Sequence, residues 1–598
     1  MTVSADIKTE CSVPFIRTVE SAEVFITHAL SADMIAIDTE TTGITGIKDG
    51  RDYAIGVSLA FRIEPLGILT CYFPLRHIQD NLPLRAMLPR LQLVLRSVPL
   101  VFHNRKFDLH SLASLGLDVN DFHSQQYDTM METQLVNEEW YSKSLDSLSK
   151  MLFNEAKAPH LALFANTFGW AETPPNLMGP YAQRDAELTL KLHELLWPKL
   201  EEQELTHLWP VESSFIKALF DMERIGLGIN ADFCNQKVKQ GTQRMAAIKD
   251  ELGFNPSSHL DLRKFFFEDL ELPVLQRSEK GDNKPSLNKK VLEEYDILLQ
   301  ATNTTSARLV LEFRGWQKAV SSLYDPILRL VSPDGRIRTN FNQHGTVTGR
   351  LSSNGPNLQQ IPRTSGHVWN GDAKRAFCPG SGYEDYELIG YDYSQLELRL
   401  ATAYGGDKWL RDIFNADERD VFTEMSERLN VDRYVAKTQT YGTLYGAGLE
   451  KIAATLGKSV GDTEGPYREF IESISGIKSA ATRATRLAKQ RGYVRYWTGR
   501  RRHFRDRDGD SFKAFNSILQ GGAAELVKRA QLRCRDLESD DAKIVLQVHD
   551  ELVWLIRKGT RHIIEPEIIK QMTSWTEFGV KLTVSQPTKT WNGNVLCT

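Results

Sequence analysis

Acidic residues at strand ends and on helix faces are the first chemistry this sequence offers. In MIAIDTETTG (34–43) an apolar strand ends in Asp38 and Glu40. Residues i and i+2 of a strand share a face, so both carboxylates point the same way. VPLVFHNRKFDLHSL (98–112) reads as a strand, a turn and a helix start carrying Asp108. YAQRDAELTLKL (181–192) is helical and places Tyr181 and Asp185 four residues apart on one face. Each acid alone suits a turn or a solvated surface. Clustered, the four could hold two divalent cations, and all-oxygen ligation favours hard ions such as Mg2+ or Mn2+.

A second set lies further along. YELIGYDYSQLELRLAT (386–402) reads as a strand ending at Asp392, then a helix bearing Glu397. IVLQVHDELVWLI (544–556) alternates like a strand but holds His549, Asp550 and Glu551 in its middle. Adjacent acids repel, and a buried carboxylate without a partner is costly, so this pair needs either the solvated tip of a hairpin or a cation. Between the two lies DRYVAKTQTYGTLYGAG (432–448), where Arg433, Lys437, Tyr441 and Tyr445 recur at intervals of four. On a helix they form a drifting stripe about 18 Å long, at 1.5 Å per residue. An amphipathic surface helix is the plainer reading. Two cations followed by two aromatics also suit a triphosphate followed by a base, with Arg433 and Lys437 on phosphates and Tyr441 against sugar and base. Gly442 and Gly446 weaken a helix by up to ~1 kcal/mol each, and the expected gain is room for another chain, such as a template strand.

The elements that must position these groups divide the chain. Residues 20–200 alternate short apolar strands with helices, an α/β pattern closed by a long helix at about 181–206. Residues 207–335 read as mostly helical, interrupted by the polar loop QRSEKGDNKPSLN, and strands and helices mix again from 336. The 598 residues, 41% hydrophobic and 25% charged, are ordinary globular composition for two to four domains. No apolar run is long enough to span a bilayer and no basic-then-apolar leader precedes the first strand, so a cytoplasmic protein is expected. The six cysteines are scattered without a C-x-x-C pair, which argues against a disulfide framework or a zinc site. Net charge is −4, yet residues 478–507 hold eleven Lys/Arg and one acid. The centre of that segment, RGYVRYWTGRRRHF, interleaves arginines with aromatics. It is a candidate nucleic-acid surface, with a solvated basic helix and hairpin as the alternative.

The order D-x-E, HNxxFD, YxxxD resembles the three motifs of the proofreading 3′→5′ exonucleases, on Asp38, Glu40, Asp108, Tyr181 and Asp185. The later segments resemble motifs A (DYSQLELR), B (RxxxKxxxYGxxYG) and C (VHDE) of family A DNA polymerases. FNQHGTVTGRLSSNGPNLQQIP (341–362), GYVRYWTGRRR (492–502) and FNSILQGGAAE (515–525) match the same family. The resemblance spans about residues 20–598. It implies a multidomain α/β and α+β chain: an RNase H-like exonuclease domain (1–205), then a right-hand polymerase of thumb (206–335), first palm part (336–410), fingers (411–514) and second palm part (515–598).

The resemblance also assigns roles. Asp392 and Asp550 would bind two Mg2+ in the palm, Mn2+ being able to substitute, with Tyr393 beside them and Glu551 supporting. Asp38, Glu40, Asp108 and Asp185 would hold a second metal pair, with Tyr181 orienting the attacking water. Arg433, Lys437, Tyr441, Glu397, Gln395 and Tyr393 would take the dNTP. Lys437 would protonate the departing pyrophosphate, and Glu397 would exclude a ribose 2′-OH. A tyrosine at 441 implies poor discrimination against dideoxynucleotides. Primer-template DNA would meet Arg350 and Gln520 in the minor groove, Asn516, Asn357 and Gln359 nearby, His549 at the primer end and Tyr445 at the templating base. The exonuclease site would receive a single-stranded 3′ end. A monomer is implied, with any replisome partner unspecified.

Two features depart from the family. Phe422 stands where many members have a histidine near the triphosphate. Only about twenty residues precede the exonuclease region, so no 5′-nuclease domain is expected, and a phage or replicon source with it. A single-subunit RNA polymerase would share Asp392 and Asp550 but not the exonuclease motifs or Glu397. A catalytically dead scaffold would have lost carboxylates, and all six remain. A nuclease that merely grips DNA leaves the Arg433–Lys437–Tyr441 stripe unexplained.

Overall fold

The computed structural model describes residues 15–593, apart from 157–158, 279–282, 301–302, 363–368, 370, 417–419, 586 and 588–589. The N-terminal sheet has β1 (Ile35–Thr41), β2 (Ala54–Ile63), β3 (Gly67–Pro74), β4 (Leu100–Phe102) and β5 (Gln126–Asp128) in the order β3-β2-β1-β4-β5. β1 is central, antiparallel to β2 and parallel to β4, and every residue of it except Asp38 is buried. Ile35, Ile37, Val57, Leu59, Phe61 and Phe102 share one core. Helix α1 (Arg105–Leu115) follows β4, and the closing helix α2 (Pro175–Glu202) lies across β1, β2 and β3. It begins before the expected 181 because Pro175 opens it, where a preset φ helps and a missing N–H costs nothing.

The palm sheet joins β6 (Tyr386–Asp392), β7 (Ala542–Val548) and β8 (Glu551–Arg557), all antiparallel, in the order β6-β8-β7. Five consecutive residues of β8, Leu552 to Ile556, are buried, as expected of a central strand covered on both faces. Helices α3 (Leu396–Gly405), α4 (Arg433–Leu444), α5 (Ser475–Arg491) and α6 (Ala514–Cys534) share the palm's core. The region 231–319 is helical and has a separate core around Phe266, Leu292 and Tyr295. No helix among the described residues is long and apolar enough to cross a membrane. Cys71, Cys234 and Cys534 are buried thiols, whereas Cys378 is disulfide-bonded, which departs from the expectation for the cysteines.

The basic segment 478–507 separates into two parts. Its helical half, α5, keeps Lys478, Arg483, Arg486, Lys489 and Arg491 exposed. Its second half is a hairpin pairing Tyr493–Arg495 with Arg501–His503, and the central arginines of that hairpin are internal. Arg500 donates from Nε to Glu525 Oε1 (2.7 Å) and from Nη2 to Glu212, with side chains 5% or less exposed. Arg502 pairs with Glu138 (3.1 Å) and Glu139 (2.5 Å), and Tyr496 and Phe504 are buried. The reading of RGYVRYWTGRRRHF as a nucleic-acid surface is therefore corrected for Arg500 and Arg502. These arginines tie the hairpin to acids of the N-terminal unit and of the helix Trp209–Ile225.

Breaking one side of a buried ion pair typically costs 3–5 kcal/mol, because the partner stays charged and dry. Arg500→Ala should therefore lower unfolding stability by about that amount, read by urea denaturation, while Lys489→Ala on exposed α5 should change nothing measurable. Burial alone would raise the Glu525 carboxyl, but Arg500, Lys528 and Arg529 overrule it and hold the carboxyl well below the usual range. A depressed acid stabilises the fold above its unfolded pKa, about 4.3, and loses that contribution as pH falls through the lower folded value. The Arg500→Ala penalty should thus be full at neutral pH and shrink only in strong acid.

Candidate functional site

In the N-terminal unit, α2 crosses β1 so that Asp185 meets the strand's acids. Asp38, Glu40 and Asp185 can each present an oxygen, all within 4.8 Å of one another, with Glu40 and Asp185 buried. Three hard donors at that spacing fit a divalent cation. Asp108 stands just beyond this trio in the first turn of α1. Its Oδ1 accepts from Thr39 Oγ1 at 2.8 Å. Burial, then the nearby charge of Asp38, pushes its carboxyl well above the ordinary range. The turn that aims α1 has Asn104 at φ +73°, with the amides of Asn104 and Arg105 donating to Asp128 at 3.1 and 2.9 Å. Tyr181 sits one turn before Asp185, half-buried, its ring 6.4 Å from that of Trp170.

Two neighbours escaped the sequence reading. Thr39 lies between the acids of D-x-E and faces the other way, a signal that period two already contains. Tyr72 bonds His77 Nε2 at 2.6 Å, and burial followed by the charges of Glu40 and Asp38 raises its phenol. Only the fold brings it there, and Gly56 leaves room for its hydroxyl.

In the palm, β7 and β8 are joined by a two-residue turn, His549–Asp550, with His549 at φ +55°. The hairpin tip and the expected cation site thus fall at one place. The main chain of Asp550 reaches the end of β6, where Tyr393 N–H donates to Asp550 O at 3.3 Å. Asp392, the residue before Tyr393, is the cross-strand partner of Glu551. Acids about 160 residues apart thus meet at one end of the sheet, and their oxygen donors suit the same hard ions as the first cluster. Glu551 leans over Gly390, where a Cβ would lie 2.3 Å from its Oε1, and accepts from Trp591 Nε1 at 3.0 Å. Lys374 is 3.6 Å away. These contacts hold the Glu551 carboxylate against Gly390 and Trp591. The Tyr393 phenol donates to Met572 O at 2.5 Å inside the core, which leaves only its main chain to face a cation or nucleotide.

Helix α4 is capped by Asp432, which accepts from Tyr434 N–H at 2.7 Å, and its stripe faces outward. Arg433 is held by Asp420 through two 3.1 Å bonds. Phe422, 2% exposed, lies beneath the stripe: Arg433 and Lys437 approach its ring centroid at 5.7 and 6.0 Å, and the Tyr441 ring at 5.8 Å. In place of a histidine, the chain has an aromatic floor that orients both cations. Tyr441 and Tyr445 stack at 6.1 Å and 24°. Tyr445 donates to Glu397 Oε2 at 2.7 Å while Arg350 pairs with the other oxygen. Burial and then Glu397 raise the Tyr445 phenol.

The glycines of this segment need correcting. A Cβ on Gly442 would lie 3.1 Å from Ile452, so Gly442 accommodates the chain's own next helix and not a template strand. Gly446, at φ +76°, ends α4: its N–H bonds Thr443 O and that of Ala447 bonds Gly442 O, a Schellman closure.

Of the expected DNA contacts, Arg350 and His549 line one cleft with Asp550, Gln547 and Lys528. Asn516 and Gln520 are half-exposed on α6. Gln395 ends the loop before α3 at φ +54°. Asn357 is exposed and caps a short turn by accepting from Gln359 N–H at 3.0 Å. Gln359 itself is turned inward, 6% exposed, with Nε2 3.4 Å from Gln547 O, so it braces β7 instead of facing outward.

Residues 229–592 match DNA polymerase family A. The chain belongs to that family. Residues 13–201 match the 3′-5′ exonuclease family, which adds the second site to the family A frame. The DNA polymerase I of Pseudomonas aeruginosa is 28% identical over 88% of the chain, and that of Chloroflexus aurantiacus 28% over 90%. The thermostable DNA polymerase I of Thermus aquaticus is 32% identical over 62% of the chain and 46% of its own length. The chain spans about 60% of the length of the first two relatives. These family A relatives are bacterial and lend a phage source no support. The fold matches the POL domain of Pol1 from M. smegmatis, solved in complex with DNA primer-template and dNTP, at TM-score 0.79 and 23% identity. That match covers 94% of this chain and 96% of that one.

Proposed function

We propose that this chain extends a DNA primer along a template, joining dNTPs with release of pyrophosphate, and removes misplaced 3′ nucleotides in a second site. The observation that carries the reading is the meeting of Asp392 with the Asp550 turn, beside the Arg350 that shares Glu397 with Tyr445, in a chain that also gathers Asp38, Glu40 and Asp185. Asp392 and Asp550 would hold one divalent pair, and the four N-terminal acids a second. Such ions, Mg2+ by the all-oxygen donor set, lower the pKa of the attacking hydroxyl or water and neutralise the leaving oxygens.

The chain's own residues do the rest. Arg433 and Lys437, fixed over Phe422, hold the triphosphate, with Lys437 placed to give its proton to pyrophosphate. Tyr441 closes against sugar and base. Glu397, pinned by Arg350 and Tyr445, fills the floor where a 2′-OH would sit. Arg350 and Gln520 touch minor-groove acceptors shared by all base pairs, which tests pair shape without reading sequence. In the second site Tyr181 orients the water that attacks the terminal phosphodiester.

One labelled primer-template tests the reading. With four dNTPs the primer should lengthen, without them it should shorten, and rNTPs should be taken poorly. Extension by rNTPs as fast as by dNTPs would favour an RNA polymerase instead. Absence of both lengthening and shortening would overturn the proposal.

A further inference from the structure

Resting on that reading, we propose that Phe512 is a stacking site for an unpaired template nucleotide ahead of the insertion position, the base on its ring and the phosphate beside Lys513. A lone exposed apolar residue needs no function. Here three observations coincide. Within residues 511–520 only Phe512, Lys513, Asn516 and Gln520 escape burial. Phe512, Asn516 and Gln520 are spaced by four, so the accessible edge of α6 and of the turn before it is one stripe. Phe512 is 58% exposed and ends that stripe, with Lys513 Nζ 5.4 Å from its ring centroid.

The stripe runs from duplex toward single strand. Gln520 lies one turn before Ala524, which lines the cleft with Arg350, where the paired primer-template would be read. Eight residues on, about 12 Å at 1.5 Å per residue, Phe512 meets the end of α4. A Cβ on Gly446 would lie 3.9 Å from Phe512 Cδ2, and Tyr445, the neighbour of Gly446, is itself 47% exposed. Two open aromatics thus flank a glycine where the template leaves the templating position. Bases rise about 3.4 Å each along one strand, so the stripe covers three to four steps. Paired bases offer no free face to Phe512. An unpaired base does, and sequence-tolerant stacking is what a copying enzyme needs.

The test compares two primer-templates, one with a single templating nucleotide beyond the primer and one with five. Binding is read by fluorescence anisotropy, with 2-aminopurine one or two nucleotides ahead of the templating base as a stacking reporter. Stacking on an aromatic is worth about 1–3 kcal/mol per base, so Phe512→Ala should weaken the five-nucleotide substrate by roughly 5- to 150-fold. It should leave the one-nucleotide substrate unchanged and relieve the 2-aminopurine quench, whereas Phe512→Trp should retain both signals. Equal affinity of wild type and Phe512→Ala for the long overhang overturns the proposal, as does equal loss on both substrates, which would mark a structural role. If the wild type bound neither substrate, the polymerase reading itself would fall. If it bound both and only the Phe512 effects were absent, this subsite alone would.

Discussion

Asp550→Ala should lower primer extension on the order of 10^3-fold or more, about 4 kcal/mol of transition-state stabilisation, while primer degradation without dNTPs stays within about two-fold of wild type. The size of the effect follows from the proposed donor count: with one of the two proposed palm ligands gone, a hard ion there would lose the charge that fixes it. Its selectivity follows from position. Asp550 sits in a two-residue turn outside the core, and its main-chain carbonyl accepts from Tyr393 at the end of β6, a bond that alanine keeps. The variant should therefore fold normally, checked by an unchanged thermal transition. The second site stands on β1 and α2 around a different core and should not feel the change. Loss of both activities in a folded Asp550→Ala protein would refute the assignment of two separate sites.

The mirror-image result is expected of Asp108→Ala: degradation falls on the order of 10^3-fold and extension is kept. Here the stability argument differs, because Asp108 is buried. Alanine leaves Thr39 Oγ1 without its acceptor, a loss of about 1–3 kcal/mol, but it also removes a carboxylate that burial and Asp38 already disfavour in its charged form. The two effects oppose each other, so the metal-free variant should melt close to wild type. Asp108→Asn, which keeps an acceptor for Thr39, should be as inactive in degradation and at least as stable. A marked loss of stability in Asp108→Asn would show that the charge serves the fold and not the site.

Much of this molecule was legible in its residues. Short apolar runs marked β1, β2 and the strand before Asp392, and alternation marked the stretch around Asp550. A spacing of two put Asp38 and Glu40 on one face, because one face of a strand is fixed by spacing alone. The interval of four placed Arg433, Lys437 and Tyr441 on one exposed face for the same reason. The ordered motifs identified the family, since six carboxylates in that sequence leave few alternatives. Tertiary structure decided the rest, wherever the partner is distant along the chain. Arg500 looks like a phosphate ligand until Glu212, 288 residues away, is seen to neutralise it. Gly442 looks like an opening for DNA until Ile452 fills it, and Gln359 looks outward until Gln547 takes its amide. Phe422 became a floor for two cations only once α4 lay over it. Local spacing sets which way a side chain points, but burial and charge neutralisation depend on what arrives from elsewhere, and only the folded chain specifies that.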